Sequence, residues 1–330
     1  MKILNKYFLM LFALSVTLVA CNDDDEDNNP QVNNGPTQNI AEIASSSDDY
    51  SILVEALSAA NLVDAVSDPM ATLTVFAPNN QAFNTLFDQL QLMDDNGDGS
   101  RVDELVDALG AEAVTNILLY HVLGAEIQAA DVPEKAYVTT ISTGSPGENQ
   151  LSLLVESRSN GVFLNNTTQV NAPNIFATNG VIHGIDAVLL LPTVVDHAIN
   201  NPGDLSILTG AVVDAGLADD LSGEGPFTVF APVNSAFEAI SSTVDGLTPE
   251  QLVTVLQYHV VEGQVREAQV STGSVPTLST QEIGITVTAE GGVVISDADD
   301  SNTDAVVVLT DVQATNGVVH VINAVLIPQL

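Results

Sequence analysis

Three blocks of sequence occur twice in this chain, in the same order, and any fold it adopts must accommodate that duplication. Thr74-Val75-Phe76-Ala77-Pro78-Asn79-Asn80-Gln81-Ala82-Phe83 returns as Thr228-Val229-Phe230-Ala231-Pro232-Val233-Asn234-Ser235-Ala236-Phe237. Leu119-Tyr120-His121-Val122 returns as Gln257-Tyr258-His259-Val260. Ala177-Thr178-Asn179-Gly180-Val181-Ile182-His183 returns as Ala314-Thr315-Asn316-Gly317-Val318-Val319-His320. Each copy ends in an apolar stretch closed by Pro192 or Pro328, so the boundary between two domains falls near Pro192 to Val194. With 330 residues and about 150 per domain, each copy can bury a core of its own.

Within each copy, Thr-Val-Phe-Ala-Pro reads as a short buried strand that proline ends, because proline donates nothing to a ladder. The Asn or Ser that follows, with Phe downstream, suits a capped helix start. From Val102 to Tyr120 and from Pro249 to Tyr258 apolar residues recur at helical spacing, with Thr248 as N-cap before a first-turn proline. Later segments, Val162 to Val170 and Ile283 to Val294, are rich in β-branched residues and read as strands joined by Gly and Asn turns. Helices first and strands later give an α+β class.

The copies differ in length at one place. Phe76 to Tyr120 spans 44 positions and Phe230 to Tyr258 spans 28, so the first copy carries 16 extra residues. They include an acidic insertion near 93–104, where Asp94, Asn96 and Asp98 alternate ahead of Gly99. Oxygen ligands at alternate positions before a glycine are the pattern by which a loop wraps Ca2+. Leu105 stands where an EF-hand would place its closing glutamate, so Asp103 or Glu104, with Ser100, would have to complete the shell. The stretch reads either as a Ca2+ site that stiffens the insertion or as a flexible acidic turn.

At the start of the chain, Lys2 and Lys6 precede an apolar run from Tyr7 to Ala20 that is shorter than the roughly 20 residues of a membrane-spanning helix. Residues 1–20 read as an export signal. Leu18-Val19-Ala20-Cys21 resembles the lipobox of bacterial lipoproteins, which implies cleavage before Cys21 and acylation of its sulfur. Asn22-Asp23-Asp24-Asp25-Glu26-Asp27 and the Asn/Gln/Pro/Gly stretch to Asn39 cannot collapse, so residues 21–39 read as an acidic disordered tether. That acidic run resembles the surface-export signal of Bacteroidetes-type lipoproteins. The expected location is the outer membrane, facing the cell exterior or, alternatively, the periplasm.

Six basic residues against 43 acidic ones give a formal charge of −37, which repels phosphate backbones and rules out nucleic acid as a natural partner. Cys21 is the single cysteine, so the chain has no internal disulfide. Four of the five histidines belong to the duplicated blocks, where His121, His259, His183 and His320 lie among apolar neighbours, as hydrogen-bonded core residues do. His197 stands alone after the inter-repeat junction. There is no phosphate-cradling glycine loop, no His-Glu-x-x-His helix and no Gly-x-Ser-x-Gly elbow, so no enzymatic activity and no required cofactor are expected.

The Phe-Ala-Pro, Tyr-His and Asn-Gly-Val-x-His blocks resemble the signatures of the fasciclin domain family. The resemblance implies two tandem fasciclin-like domains, 40–192 and 193–330, each of two packed β-sheets with several short helices. It also implies adhesion to another cell, a matrix polymer or a partner protein, with the membrane reached through the lipid on Cys21. In the family the Tyr-His region is associated with adhesion, which carries over to Tyr120, His121, Tyr258 and His259. The alternative is an envelope binding protein that captures a small apolar or carbohydrate ligand in a groove.

Overall fold

A computed structural model describes residues 35–94, 97, 100–298 and 304–330. Cys21 and the export signal therefore lie outside the described residues, as do Asn96 and Asp98 of the acidic insertion. From Pro36 to Leu330 the chain forms one compact unit.

The first repeat contributes strands β1 (Leu73–Pro78), β2 (Val122–Leu123), β3 (Ala136–Thr139), β4 (Ser152–Arg158), β5 (Gly161–Leu164), β6 (Thr168–Ala177) and β7 (Gly180–Ile185), hydrogen-bonded in the order β2-β1-β7-β6-β5-β4-β3. The second contributes β8 (Phe227–Pro232), β9 (Val260–Glu262), β10 (Gly273–Pro276), β11 (Glu282–Val287), β12 (Val293–Ser296), β13 (Ala305–Ala314) and β14 (Gly317–Ile322), in the equivalent order β10-β11-β12-β13-β14-β8-β9. The sheets of each repeat share their longest strand. β6 pairs with β5 at one end and with β7 along the rest, and β13 does the same between β12 and β14. Each long strand has two register shifts and one residue at positive φ, Asn174 (59°) or Asp311 (60°), so the ladder bends there. Each repeat is thus a seven-stranded ladder folded over on itself.

Helices cover one side. Thr-Val-Phe-Ala-Pro forms the buried parallel partner of the Asn-Gly-Val-x-His strand in both repeats, and both strands stop at proline. The expected helix from Val102 to Tyr120 is two helices, Val102–Leu109 and Ala111–Tyr120, because Gly110 takes φ 86° between them. Pro249–Tyr258 begins as the sequence predicts, with the Thr248 side chain accepting from Gln251 N in a capping box. In the first repeat Asn79 caps Asn80–Gln89 by accepting from Ala82 N. In the second repeat the cap position is Val233, which has no side-chain acceptor, while Asn234 accepts from Ile207 N as Asn80 does from Ile52 N.

Each repeat holds two apolar cores, one on each side of its bend. The first joins helices to β1 and β7 through Leu53, Phe83, Phe87 and Ile182, with Leu151, Leu153 and Leu164 on the other side. The second repeats this with Leu205, Phe237 and Val319 against helices, and Ile283, Ile295 and Ile322 across the bend. Among the described residues no helix is long and apolar enough to cross a membrane.

Candidate functional site

The Tyr-His pairs end a helix and enter the short strand after it. Tyr120 and Tyr258 are fully buried. The Tyr120 hydroxyl donates to Ser152 O at 2.9 Å and accepts from Asn165 Nδ2 at 3.2 Å, and the Tyr258 hydroxyl donates to Glu282 O at 2.8 Å. Burial raises both phenol pKa values.

His121 and His259 are buried beside them. His121 donates from Nδ1 to Ile117 O at 2.7 Å, one helical turn back, and accepts at Nε2 from Leu189 N at 2.9 Å. His259 donates to Val255 O at 2.8 Å and accepts from Leu326 N at 2.9 Å. An acceptor role toward an amide requires a bare Nε2, so both rings are neutral, and burial pushes each down to about 4. Each ring ties the end of a helix to the last segment of its repeat. The four Tyr and His side chains are therefore interior fastenings, and none presents a surface to a partner in this structure.

The Asn-Gly-Val-x-His blocks fasten a different part. Asn179 Oδ1 accepts from Ile40 N at 3.0 Å, and its Nδ2 donates to Val66 O and Asp68 O at 2.9 and 3.1 Å. Asn316 does the same for the second repeat, with Val194 N at 2.9 Å and with Leu221 O and Gly223 O at 2.8 and 2.9 Å. The asparagine locks the first helix of each repeat onto the sheet, a role that its motif alone does not reveal.

His183 and His320 line equivalent cavities. Each lies nearly parallel to the phenylalanine of its neighbouring strand: His183 to Phe76 with centroids 5.7 Å apart at 27°, and His320 to Phe230 at 5.8 Å and 26°. His183 Nε2 donates to Ile127 O at 2.8 Å and Nδ1 accepts from Asn174 N at 3.2 Å. His320 pairs likewise with Val265 O at 2.8 Å and Asp311 N at 3.3 Å. Burial lowers both pKa values. The cavity over Phe76 and His183 measures about 190 Å³, whereas its counterpart over Phe230 and His320 measures about 40 Å³.

A polar seam joins the repeats. Gln313 N donates to Ser152 Oγ at 2.9 Å, and Gln264 Nε2 donates to Gln313 Oε1 at 2.8 Å and to Ser145 Oγ at 2.9 Å. Asn149 Nδ2 donates to Gln264 Oε1 at 3.1 Å, and Lys135 pairs with Asp204 at 2.7 Å and with Asn201. His197, solitary in the sequence, is buried in this seam and donates from Nε2 to Gln313 O at 2.9 Å.

In the acidic insertion, Asp94 accepts from Gly97 N at 2.7 Å, Ser100 hydrogen-bonds Glu55, and Asp103 and Glu104 lie in the first turn of Val102–Leu109. Among the described residues no group of three or more His, Cys, Asp or Glu gathers to hold a metal.

The fasciclin domain model matches residues 48–192 and 203–328. Protein sll1483 of Synechocystis is 41% identical over 143 residues, which cover 42% of this chain and 74% of that protein. Two relatives align across both repeats. Transforming growth factor-beta-induced protein ig-h3 of Sus scrofa is 29% identical over 267 residues, covering 78% of this chain and 35% of ig-h3. Human periostin is 28% identical over 270 residues, covering 78% of this chain and 28% of periostin. The chain thus spans only about a third of the length of those two. The solved domain pair of the insect cell adhesion molecule fasciclin I aligns at a TM-score of 0.45 and 18% identity, over 86% of this chain and 94% of that one. With two matched domains covering most of its length, this chain belongs to the fasciclin domain family.

Proposed function

We propose that this chain is a lipid-anchored surface protein that holds two fasciclin domains clear of the membrane for contact with a partner protein or a matrix polymer. The observation that carries this reading is the seam. Gln313 bonded to Ser152 and Gln264 bonded to Ser145 bind the two family domains into one body, which presents a single composite surface instead of two modules on a flexible string. Such rigidity lowers the ordering cost of binding a large partner. The lipobox-like Leu18-Val19-Ala20-Cys21 supplies the anchor in this reading, and the acidic residues after Cys21 supply the spacer and the signal for outward display. Because the Tyr-His pairs are interior, they contribute by fixing the sheet and helix positions on which the contact surface is built.

Protease treatment of intact cells, followed by immunoblotting and a parallel aggregation assay, tests this. Loss of the protein from intact wild-type cells, and weaker aggregation in Cys21→Ala, is the expected result. Full protection would place the protein inside the envelope and overturn the surface reading.

A further inference from the structure

The unequal cavities of the two repeats have a local cause. By register, Ala129, Val155 and Pro173 of the first repeat stand where the second has Glu267, Ile285 and Thr310. The backbone frame is the same in both, since Ala129 N donates to Asn174 Oδ1 and Glu267 N to Asp311 Oδ1, each at 2.9 Å. In the second repeat Glu267 reaches across to accept from Thr310 Oγ1 at 2.9 Å, and Ile285 adds a methylene to the wall. That roof closes the space to about 40 Å³. In the first repeat Ala129 and Pro173 offer no such bridge, and about 190 Å³ stays open. A dry cavity of about 150 Å³ admits a benzene-sized molecule.

The lining decides what fits. Walls of Val138, Val155, Val162 and Val170 meet a floor of Phe76 and His183. Both His183 nitrogens are committed to Ile127 O and Asn174 N, so the floor has no hydrogen bond to give a sugar hydroxyl. The remaining polar side chains are the exposed carboxylates Glu126 and Asp131, and among the described residues no Lys or Arg lines the space. An apolar chamber with an anionic rim selects a ligand with an apolar body and a positive end.

We infer that the first repeat binds a small monocyclic arylalkyl ammonium compound, its ring over Phe76 and His183 and its ammonium between Glu126 and Asp131, while the second repeat is closed to it. This site goes beyond the adhesion reading and stands whether or not that reading holds.

Benzylamine is the probe, with benzyl alcohol and benzoate as neutral and anionic controls, followed by methyl NMR of the valine-labelled mature chain. With eight heavy atoms, benzylamine should saturate with a Kd of about 0.1–1 mM, shifting the Val155, Val162 and Val170 methyls and leaving those of Val293 and Val307 in place. Benzyl alcohol should bind about three- to tenfold more weakly and benzoate more weakly still. Glu126→Gln/Asp131→Asn should bring benzylamine to the level of benzyl alcohol without altering the alcohol itself. The transplant Ala129→Glu/Val155→Ile/Pro173→Thr, which copies the second repeat's roof, should abolish binding while the second repeat's spectrum is unchanged. Because that triple variant could perturb the first repeat, Val162→Phe provides a second way to fill the chamber. Absence of first-repeat methyl shifts with benzylamine, benzoate binding as tightly as benzylamine, or unchanged binding in both filled variants would each overturn the inference.

Discussion

Tyr137 of the first repeat sets its ring edge-on to His197 of the second, with centroids 5.5 Å apart and planes at 75°. Tyr137 lies on β3, yet it packs against the apolar core of the second repeat. His197 passes the contact on by donating to Gln313 O, and Gln313 N returns to the first repeat at Ser152 Oγ. Among the described residues the Nδ1 atom of His197 is buried with no hydrogen-bond partner, so there the ring is held by its bond to Gln313 O and by the tyrosine.

Removing that contact should uncouple the repeats. Tyr137→Ala deletes a large, half-buried ring, and Ser152→Ala leaves Gln313 N without its acceptor. Together they should cost about 3–5 kcal/mol of coupling. Calorimetry should show one cooperative transition for the wild type and two for the double variant. A single transition in both proteins would mean that the seam does not couple the domains.

The buried histidines set the acid response. His121, His197 and His259 are each held near 4, against a usual value of 6.5, because burial penalises the charged ring. Between those values the unfolded chain takes up protons that the folded chain refuses, so stability falls as pH drops through the window from about 6.5 to 4. Above 6.5 these rings contribute no slope. The loss approaches ~3 kcal/mol per ring at the lower end. Urea melts at successive pH values should show the decline, and His197→Asn should flatten it by one ring's share, with His183 and His320, also lowered by burial, still contributing to the rest.

Glycine in the Asn-Gly-Val-x-His block is required by contact as well as by conformation. Gly180 (φ 144°) and Gly317 (φ 156°) open the strands that run parallel to β1 and β8, and a Cβ on either would fall 2.0 Å from Leu73 O or 2.1 Å from Phe227 O. Backbone atoms cannot yield as a flexible side chain can. Gly180→Ala should therefore abolish folding of the first repeat, and Gly317→Ala that of the second, as read by amide dispersion in each repeat. Gly210→Ala, on a helix with no heavy atom within 4 Å of the added methyl, is the neutral control.

Such close approaches explain what could be read from the sequence. Blocks such as Thr-Val-Phe-Ala-Pro and Asn-Gly-Val-x-His are duplicated because both strands of a parallel pair must keep their shape together. The Thr248-Pro249 start and the proline strand ends were legible for the same local reason. The seam was not, since Gln313 meets Ser152 from 161 positions away and His197 from 116, with no spacing pattern to announce either contact. Nor was the cavity, because the difference between Ala129 and Glu267 gains meaning only once Thr310 is known to face Glu267. The Tyr-His blocks were legible as a repeated feature, but their hydrogen bonds to Leu189 and Leu326 depend on the returning chain.

Those bonds give the last prediction, which separates a fastening from a contact residue. His121→Ala leaves Leu189 N–H buried without its acceptor and opens a gap between helix and sheet, a loss of about 2–4 kcal/mol. His121→Asn can keep a donor toward Ile117 O and should recover part of it. Under the proposed adhesive function, if the ring acts only by holding the domain, cell aggregation by these variants will follow their folded fraction. It should fall at growth temperature in the order wild type, Asn, Ala, and return when the assay is run in the cold. A variant that is folded by its amide spectrum yet fails to aggregate cells at any temperature would instead make His121 part of the contact itself, through an opening of the domain that this structure does not display.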